Sequence, residues 1–562
     1  MTVVPSSRRP LLAAVLCSLA FLLLAEGKVH HHTWDIAYKY KSPDCFEKLA
    51  VTINGEFPGP TIRATQGDTV VVTVNNHLET ENTGIHWHGI RQRGSPWADG
   101  TVGVTQCPIL PGETFTYRFV VDRAGTYFYH AHYGMQRVAG LDGMIVVSVP
   151  DGVAEPFAYD EERTVLLMDW WHKSVYEQAV GLASDPLVFV GEPQSLLING
   201  RGRFNCGAAA AACNPNCSAA LPTLFTAVPG KTYRLRIGSL TSLSALNFEI
   251  EGHSMTVVEA DGYYVSPVVV KSLFVYSGET YSVLVTADQD PSRSYWAASH
   301  VVGRERSTTS ALAVLRYQPG NGGDPWTPQP AGPAWNDTAA RVQQSRSFVA
   351  LPGGHVEPPP ARSDRTLLLL NTQNRIGGHV KWAINGVSLR FPATPYLVSM
   401  KRGLRGAYDE RPPADGYDYR GYDIASPAQW NGTVASAAYR LALGSVVDVV
   451  LQNSVALNNK SETHPWHLHG HDFWVLAYGD GKFDPEADAA RFNVRDPVMK
   501  NTVALHPKGW TAIRFRADNP GVWLFHCHIE SHVYMGMGVV FEEGVDKVGR
   551  LPKSITGCGR ST

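Results

Sequence analysis

Two stretches at opposite ends of the chain are near copies of one another. Asp122-Arg-Ala-Gly125-Thr-Tyr-Phe-Tyr-His130-Ala-His132 matches Asp518-Asn-Pro-Gly521-Val-Trp-Leu-Phe-His526-Cys527-His528. A second pair matches as well: Gly67-Asp-Thr-Val-Val-Val-Thr-Val-Asn-Asn76 and Gly444-Ser-Val-Val-Asp-Val-Val-Leu-Gln-Asn453, each leading into a histidine cluster. A repeated unit has to solve the same packing problem each time, so such repeats restrict the fold strongly. The copies are β-branched and aromatic, with turn residues beside them, and read as strands. The middle of the chain keeps the pattern without the histidines. Pro229-Gly230-Lys-Thr-Tyr-Arg234 echoes Pro111-Gly112-Glu-Thr-Phe-Thr-Tyr-Arg118, and Tyr295-Trp-Ala-Ala-Ser299 stands where the other copies carry their histidine strand. His253 and His300 occur there singly and read as structural.

At 562 residues the chain is too long for one core, and three units fit the repeats. Strand-rich units of this size with regular turns imply an all-β chain of β-sandwiches. The expected divisions are 28–150, 151–345 and 346–562, with a loose Pro- and Gly-rich linker from Gln318 to Arg365. Before them, Arg8 and Arg9 precede an apolar run from Leu11 to Ala25, too short for a membrane span. With Ala25-Glu26-Gly27 at the cleavage position, residues 1–27 read as a secretory signal peptide, and the mature protein as soluble and extracellular. The net charge of -2, with no basic block, argues against nucleic acid as a partner.

The histidines carry the chemistry. His86-Trp-His88, His130-Ala-His132, His464-Pro-Trp-His467-Leu-His469 and His526-Cys527-His528 with His532 gather ten of the 21 histidines into four clusters. Side chains alternate across a strand, so His526 and His528 face one way and Cys527 the other. A thiolate placed so can bond one metal while its neighbours bond others. One cysteine, two histidines and a weak methionine, here Met537, make the ligand set of a blue-copper site, and the second histidine is expected from the stretch His464-Pro-Trp-His467-Leu-His469. One repeat cannot complete a cluster alone, so the first and last units are expected to face each other with copper between them. His30 to His32, at the start of the mature chain, read as a solvated terminal tract.

Of eight cysteines, Cys17 leaves with the signal and Cys527 is given to metal. The other six are Cys45, Cys107, Cys206, Cys213, Cys217 and Cys558, enough for three disulfides with fifteen pairings open. Asn336, Asn431 and Asn459 begin glycosylation acceptor triplets.

The motifs His86-Trp-His-Gly89, Trp97-Ala-Asp-Gly100, His464-Pro-Trp-His-Leu-His-Gly-His471 and His526-Cys-His-Ile-Glu530 resemble those of the multicopper oxidases. The likeness runs over nearly the whole mature chain. Within that family, Tyr133-Gly-Met-Gln-Arg137, Asp169-Trp-Trp-His172, Asn371-Thr-Gln-Asn374 and Val380-Lys-Trp-Ala-Ile-Asn385 look most like the ascorbate oxidases of plants. The resemblance implies three cupredoxin-like β-sandwich domains, the middle one without copper ligands and forming the substrate-side wall. It implies four coppers: type 1 on His464, Cys527, His532 and Met537, and type 2 on His86 and His467. One type 3 copper would sit on His88, His130 and His528, the other on His132, His469 and His526. His471 and His506 receive no ligand role.

The same resemblance implies the reaction. Ascorbate would give single electrons at type 1 copper, and the cluster would reduce dioxygen to two waters; the alternative is a laccase oxidising phenols. Cys527 would connect the two sites through the backbone to His526 and His528. Asp99 and Glu530 would supply protons or orient ligands. The reductant would dock beside His532 against Trp382 and Phe189, where the family has a second tryptophan, so the indole N–H donor is missing. Trp170 and Trp171 read as core. The family pairing of cysteines would be Cys45–Cys217, Cys107–Cys558 and Cys206–Cys213. The expected setting is the apoplast or cell wall, with no membrane partner after signal cleavage and a homodimer as one possible state.

Overall fold

The computed structural model of the chain describes residues 27–559, apart from 209–211, 215–216, 218–220, 306, 320–322 and 355. Except for Gly27, the signal segment lies outside the described residues, and so does Cys17. The described residues form six sheets in three successive pairs, with few and short helices. Two four-stranded sheets come first, then sheets of six and five strands, then sheets of eight and five.

The strands follow the sequence pattern. The first copy of the repeat is the strand Gly125–Ala131 and the last is Gly521–Cys527, each buried along its whole length. A strand covered on both faces reads as a continuous apolar run, as Val522-Trp-Leu-Phe525 does. Burial of each such side chain contributes roughly 1.5–3 kcal/mol. Gly125–Ala131 pairs with Ile85–His88 so that His86 stands opposite His130. Gly521–Cys527 pairs with His464–Leu468 so that His467 stands opposite His526. The sequence repeat is therefore a repeat of register: each pair of histidine strands meets at equivalent residues. Trp170 and Trp171 are buried in the core.

The first and last pairs of sheets are tied together. Arg123 Nη2 donates to Asp472 Oδ1 at 3.0 Å, and Arg123 Nη1 to Oδ2 at 2.5 Å. Asn519 Nδ2 donates to the carbonyl of Arg91 at 2.6 Å. The disulfides are Cys45–Cys217, Cys107–Cys558 and Cys206–Cys213, and the second anchors the end of the chain to the first sandwich. Cys527 is free and buried.

Two expectations change. The Gln318–Arg365 segment is not loose throughout, for it holds the helix Thr338–Ser347, capped by Asp337. Gln344 exchanges hydrogen bonds with the backbone of Phe274 (2.9 and 2.8 Å), and Arg346 reaches the carbonyl of Tyr478 (2.9 Å), so the helix is docked on two sandwiches. Likewise, His30 to His32 are not a free terminus. They belong to the strand Val29–Lys41, which runs parallel to Thr69–Asn76, and His30 Nε2 lies 2.7 Å from Asp68 Oδ2. The open hydrogen-bonding edge of Thr69–Asn76 draws the tract into the sheet. Among the described residues, no helix is long and apolar enough to cross a membrane.

Candidate metal centre

The four histidine strands converge where the first and last sandwiches meet. In each of the groups His86, His467, His469; His86, His88, His130; and His132, His469, His526, the potential ligand atoms lie within 4.8 Å of one another. His528 joins them, its Nε2 being 3.3 Å from His130 Nε2. Eight expected cluster histidines are thus brought together, four from each end of the chain.

Their hydrogen bonds show what the centre can hold. His86 Nδ1 faces the carbonyl of Asp99 at 2.8 Å, and His467 Nδ1 faces that of Asn501 at 2.9 Å. A carbonyl only accepts, so both Nδ1 atoms carry the proton, and both Nε2 atoms present lone pairs. Those lone pairs point at each other across 3.3 Å. The same holds where His526, with Nδ1 on the carbonyl of Cys527 (2.9 Å), meets His469 Nε2 at 3.1 Å and His132 Nε2 at 3.5 Å. His130, its Nδ1 on the carbonyl of Ala131 (2.9 Å), turns its Nε2 to His528. His88 is reversed: Nε2 lies 3.0 Å from Thr502 Oγ1, and Nδ1 is the buried atom without a partner. Facing acceptors, as at His86–His467 and at His469–His526, are tolerable in a dry interior only with a cation between them.

Burial above all holds His88, His130, His132, His467, His526 and His528 well below the usual imidazole range. Burial likewise pushes His469 down to about 3. Protons therefore do not compete for these lone pairs near neutral pH, and a metal fits.

Cys527 points away from this cluster, as strand alternation requires. Its Sγ is 3.7 Å from His464 Nδ1 and 3.6 Å from His532 Nδ1, and all three residues are buried. Fully buried Met537 stands beside them; its N–H donates to the carbonyl of His532 (2.9 Å), and its carbonyl accepts from the N–H of Cys527 (3.1 Å). Burial pushes the Cys527 thiol up and His464 down to about 3. A buried sulfur of this kind ionises when a cation binds it.

Two carboxylates flank the cluster. Asp99 Oδ2 is 3.0 Å from His469 Nδ1, and Asp99 Oδ1 is 3.2 Å from His86 Nδ1. Gly100 follows at φ +88, and a side chain there would strike the carbonyl of Ile85, so the tight turn that presents Asp99 requires glycine. Glu530 begins the short helix Glu530–Tyr534, and its Oε2 lies 2.7 Å from Arg137 Nε. Burial outweighs that pairing and leaves the Glu530 carboxyl raised. Glu530, His130, His132 and His526 line a cavity of about 1100 Å³.

On the other side, Phe189, Trp382, His464 and His532 line a pocket of about 600 Å³, with Arg375, Lys460 and Glu462 in its wall. The Trp382 ring lies 4.7 Å from that of His532, and Phe189 is 40% exposed. The expected docking residues therefore share one pocket. His471, against Glu543 at 2.7 Å, and His506, against Ser345 at 3.1 Å, have partners outside both centres.

Sequence reasoning missed several neighbours. Thr502 Oγ1 touches His88 and also His467 Nδ1, at 3.1 Å. Ser277 Oγ and Arg137 Nη1 approach His528 Nδ1 at 2.8 and 2.6 Å. Arg137 had entered only inside a motif. Ser277 and Thr502 carried no signal, since single hydroxyl residues form no pattern.

Comparison with known proteins gives a consistent outcome. Family models described as multicopper oxidase match residues 35–152, 161–320 and 411–547. The L-ascorbate oxidase of Cucumis sativus is 51% identical, over 99% of this chain and 97% of that protein. Laccase-2 of Oryza sativa subsp. japonica is 36% identical, over 98% of this chain and 99% of that protein. The solved laccase from Botrytis aclada aligns with a TM-score of 0.76 at 28% identity, covering 94% of this chain and 90% of that one.

Proposed function

The chain belongs to the multicopper oxidases, and from that membership we propose that it is a secreted ascorbate oxidase coupling one-electron oxidation of ascorbate to reduction of dioxygen to water. His464, Cys527, His532 and Met537 would hold one copper. His86 and His467 would hold a second, His88, His130 and His528 a third, and His132, His469 and His526 a fourth. When bound, the coppers each store one electron, so that dioxygen can receive four together.

The observation that carries the choice of ascorbate is the pocket beside His532. Phe189 and Trp382 offer flat apolar walls to a planar ring, and Arg375 and Lys460 place two cations in the same wall against one carboxyl, Glu462, whose ionisation burial opposes. That arrangement suits a planar, anionic enediol better than a neutral phenol. His532 has its ring in this pocket and its Nδ1 toward Cys527. The peptide from His526 to His528 then offers a short covalent path between the two groups of ligands. The cavity beside His132 and His526 is a suitable route for dioxygen and water.

Steady-state assays test the substrate. Ascorbate is expected to turn over faster than a methoxyphenol; faster turnover of the phenol would overturn the assignment in favour of a laccase.

Glu530 has two features of a proton donor: a raised carboxyl and a place on the cavity wall. Glu530→Gln is expected to keep all four coppers and to slow reoxidation by dioxygen roughly a hundredfold, the scale of one general acid. Metal analysis with stopped-flow reoxidation distinguishes this from a purely structural role, which predicts loss of copper. The reading extends to cleavage of the leader at 1–27, glycans on Asn336, Asn431 and Asn459, and units at 28–150, 151–345 and 346–562.

A further inference from the structure

We propose that the middle sandwich, which contributes no ligand, positions the cluster: Asp261 clamps the Asn501–Thr502 peptide against His467 and His88. The inference rests on the copper assignment above and adds a residue to it.

Asp261 occupies the turn between the strands Met255–Ala260 and Tyr263–Val270 and is 1% exposed. Its φ is +47 and that of Gly262 is +83, the pair of positive values that a two-residue Asp-Gly hairpin turn calls for. Oδ2 accepts from the backbone N–H groups of Asn501 (3.2 Å) and Thr502 (3.1 Å), and Oδ1 accepts from the N–H of Thr280 (2.9 Å). Lys500 Nζ stands 3.3 Å from Asp261 and 3.3 Å from Glu279, so one buried cation serves two buried acids. Such a group is costly to bury unless geometry and hydrogen bonds compensate it. Here five donors do, the fifth being the Thr280 hydroxyl at 3.5 Å from Oδ1.

What Asp261 holds is the far side of the cluster. The carbonyl of Asn501 accepts from His467 Nδ1 at 2.9 Å, and Thr502 Oγ1 lies 3.0 Å from His88 Nε2. One peptide thus orients two imidazoles. Strand register holds only the inner side of this peptide, where Thr502 pairs with His467 and the Asn501 carbonyl also accepts from the N–H of Leu468 (3.0 Å), because Thr502–Leu505 is the outermost strand of its five-stranded sheet. Its outward amides lack a neighbouring strand, and the Asp261 carboxylate takes that place. The same face of the middle sandwich reaches a third ring. A side chain at Gly278, φ +90, would come within 2.9 Å of His528 Cγ, next to the Ser277 contact. Partners that orient metal-binding imidazoles set both affinity and reactivity.

The test compares the parent enzyme with Asp261→Ala, Asp261→Asn and Thr502→Val. Copper content, the electron paramagnetic resonance of type 2 copper, anaerobic bleaching of type 1 copper by dithionite, and reoxidation by dioxygen are measured. In Asp261→Ala, bleaching is expected to stay within about twofold of the parent, while the type 2 spectrum shifts and reoxidation slows at least about tenfold. Asp261→Asn keeps an acceptor oxygen and is expected to recover most of the loss. A parent-like type 2 spectrum and reoxidation rate in Asp261→Ala, even with a lower melting temperature, would overturn the proposal. If that variant does not fold, Thr502→Val reads the same link, and a parent-like type 2 spectrum there overturns it equally. Dithionite makes the outcome independent of the natural reductant. Absence of copper from the parent enzyme would instead defeat the underlying assignment.

Discussion

Cys527→Ser is expected to abolish the strong absorption of red light and to cut turnover by at least about three orders of magnitude, the scale seen when one member of an interdependent set is removed. Its Sγ lies 3.7 and 3.6 Å from two imidazole nitrogens, and all three side chains are buried. Serine matches it in shape, but its hydroxyl is a hard, weakly acidic donor in place of a soft thiolate. The loss should be local. His526 and His528 face the other way, toward His469 and His130, so the cluster should keep its copper and still be reoxidised by dioxygen after chemical reduction. Spectra and metal counts on the purified variant decide this. Parent-like colour, or loss of every copper, would contradict the division of the three adjacent residues between two sites.

The second large effect is expected at Asp99. Removing its side chain leaves His469 Nδ1 with only the Thr101 hydroxyl at 3.2 Å in place of the carboxylate at 3.0 Å, in a site where Asp99 itself is wholly buried. Loss of a charged partner to a metal-binding imidazole lowers metal affinity roughly 10–100-fold. Asp99→Ala should therefore lose cluster copper on dialysis against a weak chelator while keeping type 1 colour. Asp99→Asn, which retains an oxygen but not the charge, should keep its copper and reduce dioxygen more slowly. Equal copper retention in both variants and the parent would remove Asp99 from any orienting role.

These sites differ in how visibly the sequence announces them. The alternation of His526, Cys527 and His528 was legible because strand geometry has a period of two, which carries directly from sequence to space. The meeting of the first and last sandwiches was legible because His86 and His467 sit in incomplete copies of one unit. The docked helix Thr338–Ser347 was obscured by the Pro and Gly around it, and its capping by Asp337 and anchoring by Gln344 are single-residue events. The His30 to His32 strand depended on a partner, Thr69–Asn76, whose pairing is not written in the tract itself. Asp261 was the least visible. Its carboxylate binds amides some 240 residues further along the chain, and no spacing rule links a turn in one sandwich to a strand edge in another.

The pairing of His86 and His88 with His467 and His469 across the cleft also governs the order in which the protein can mature. A ribosome delivers His86, His88, His130 and His132 early and their counterparts last. Domains of a growing chain fold roughly in the order they emerge. The early sandwich must therefore wait with four unmatched imidazoles at its surface until the final hundred or so residues are made. On the proposed assignment, completion of the cluster is then expected to be a late event, and a nascent chain stalled upstream of His464 cannot acquire the complete cluster however much copper surrounds it.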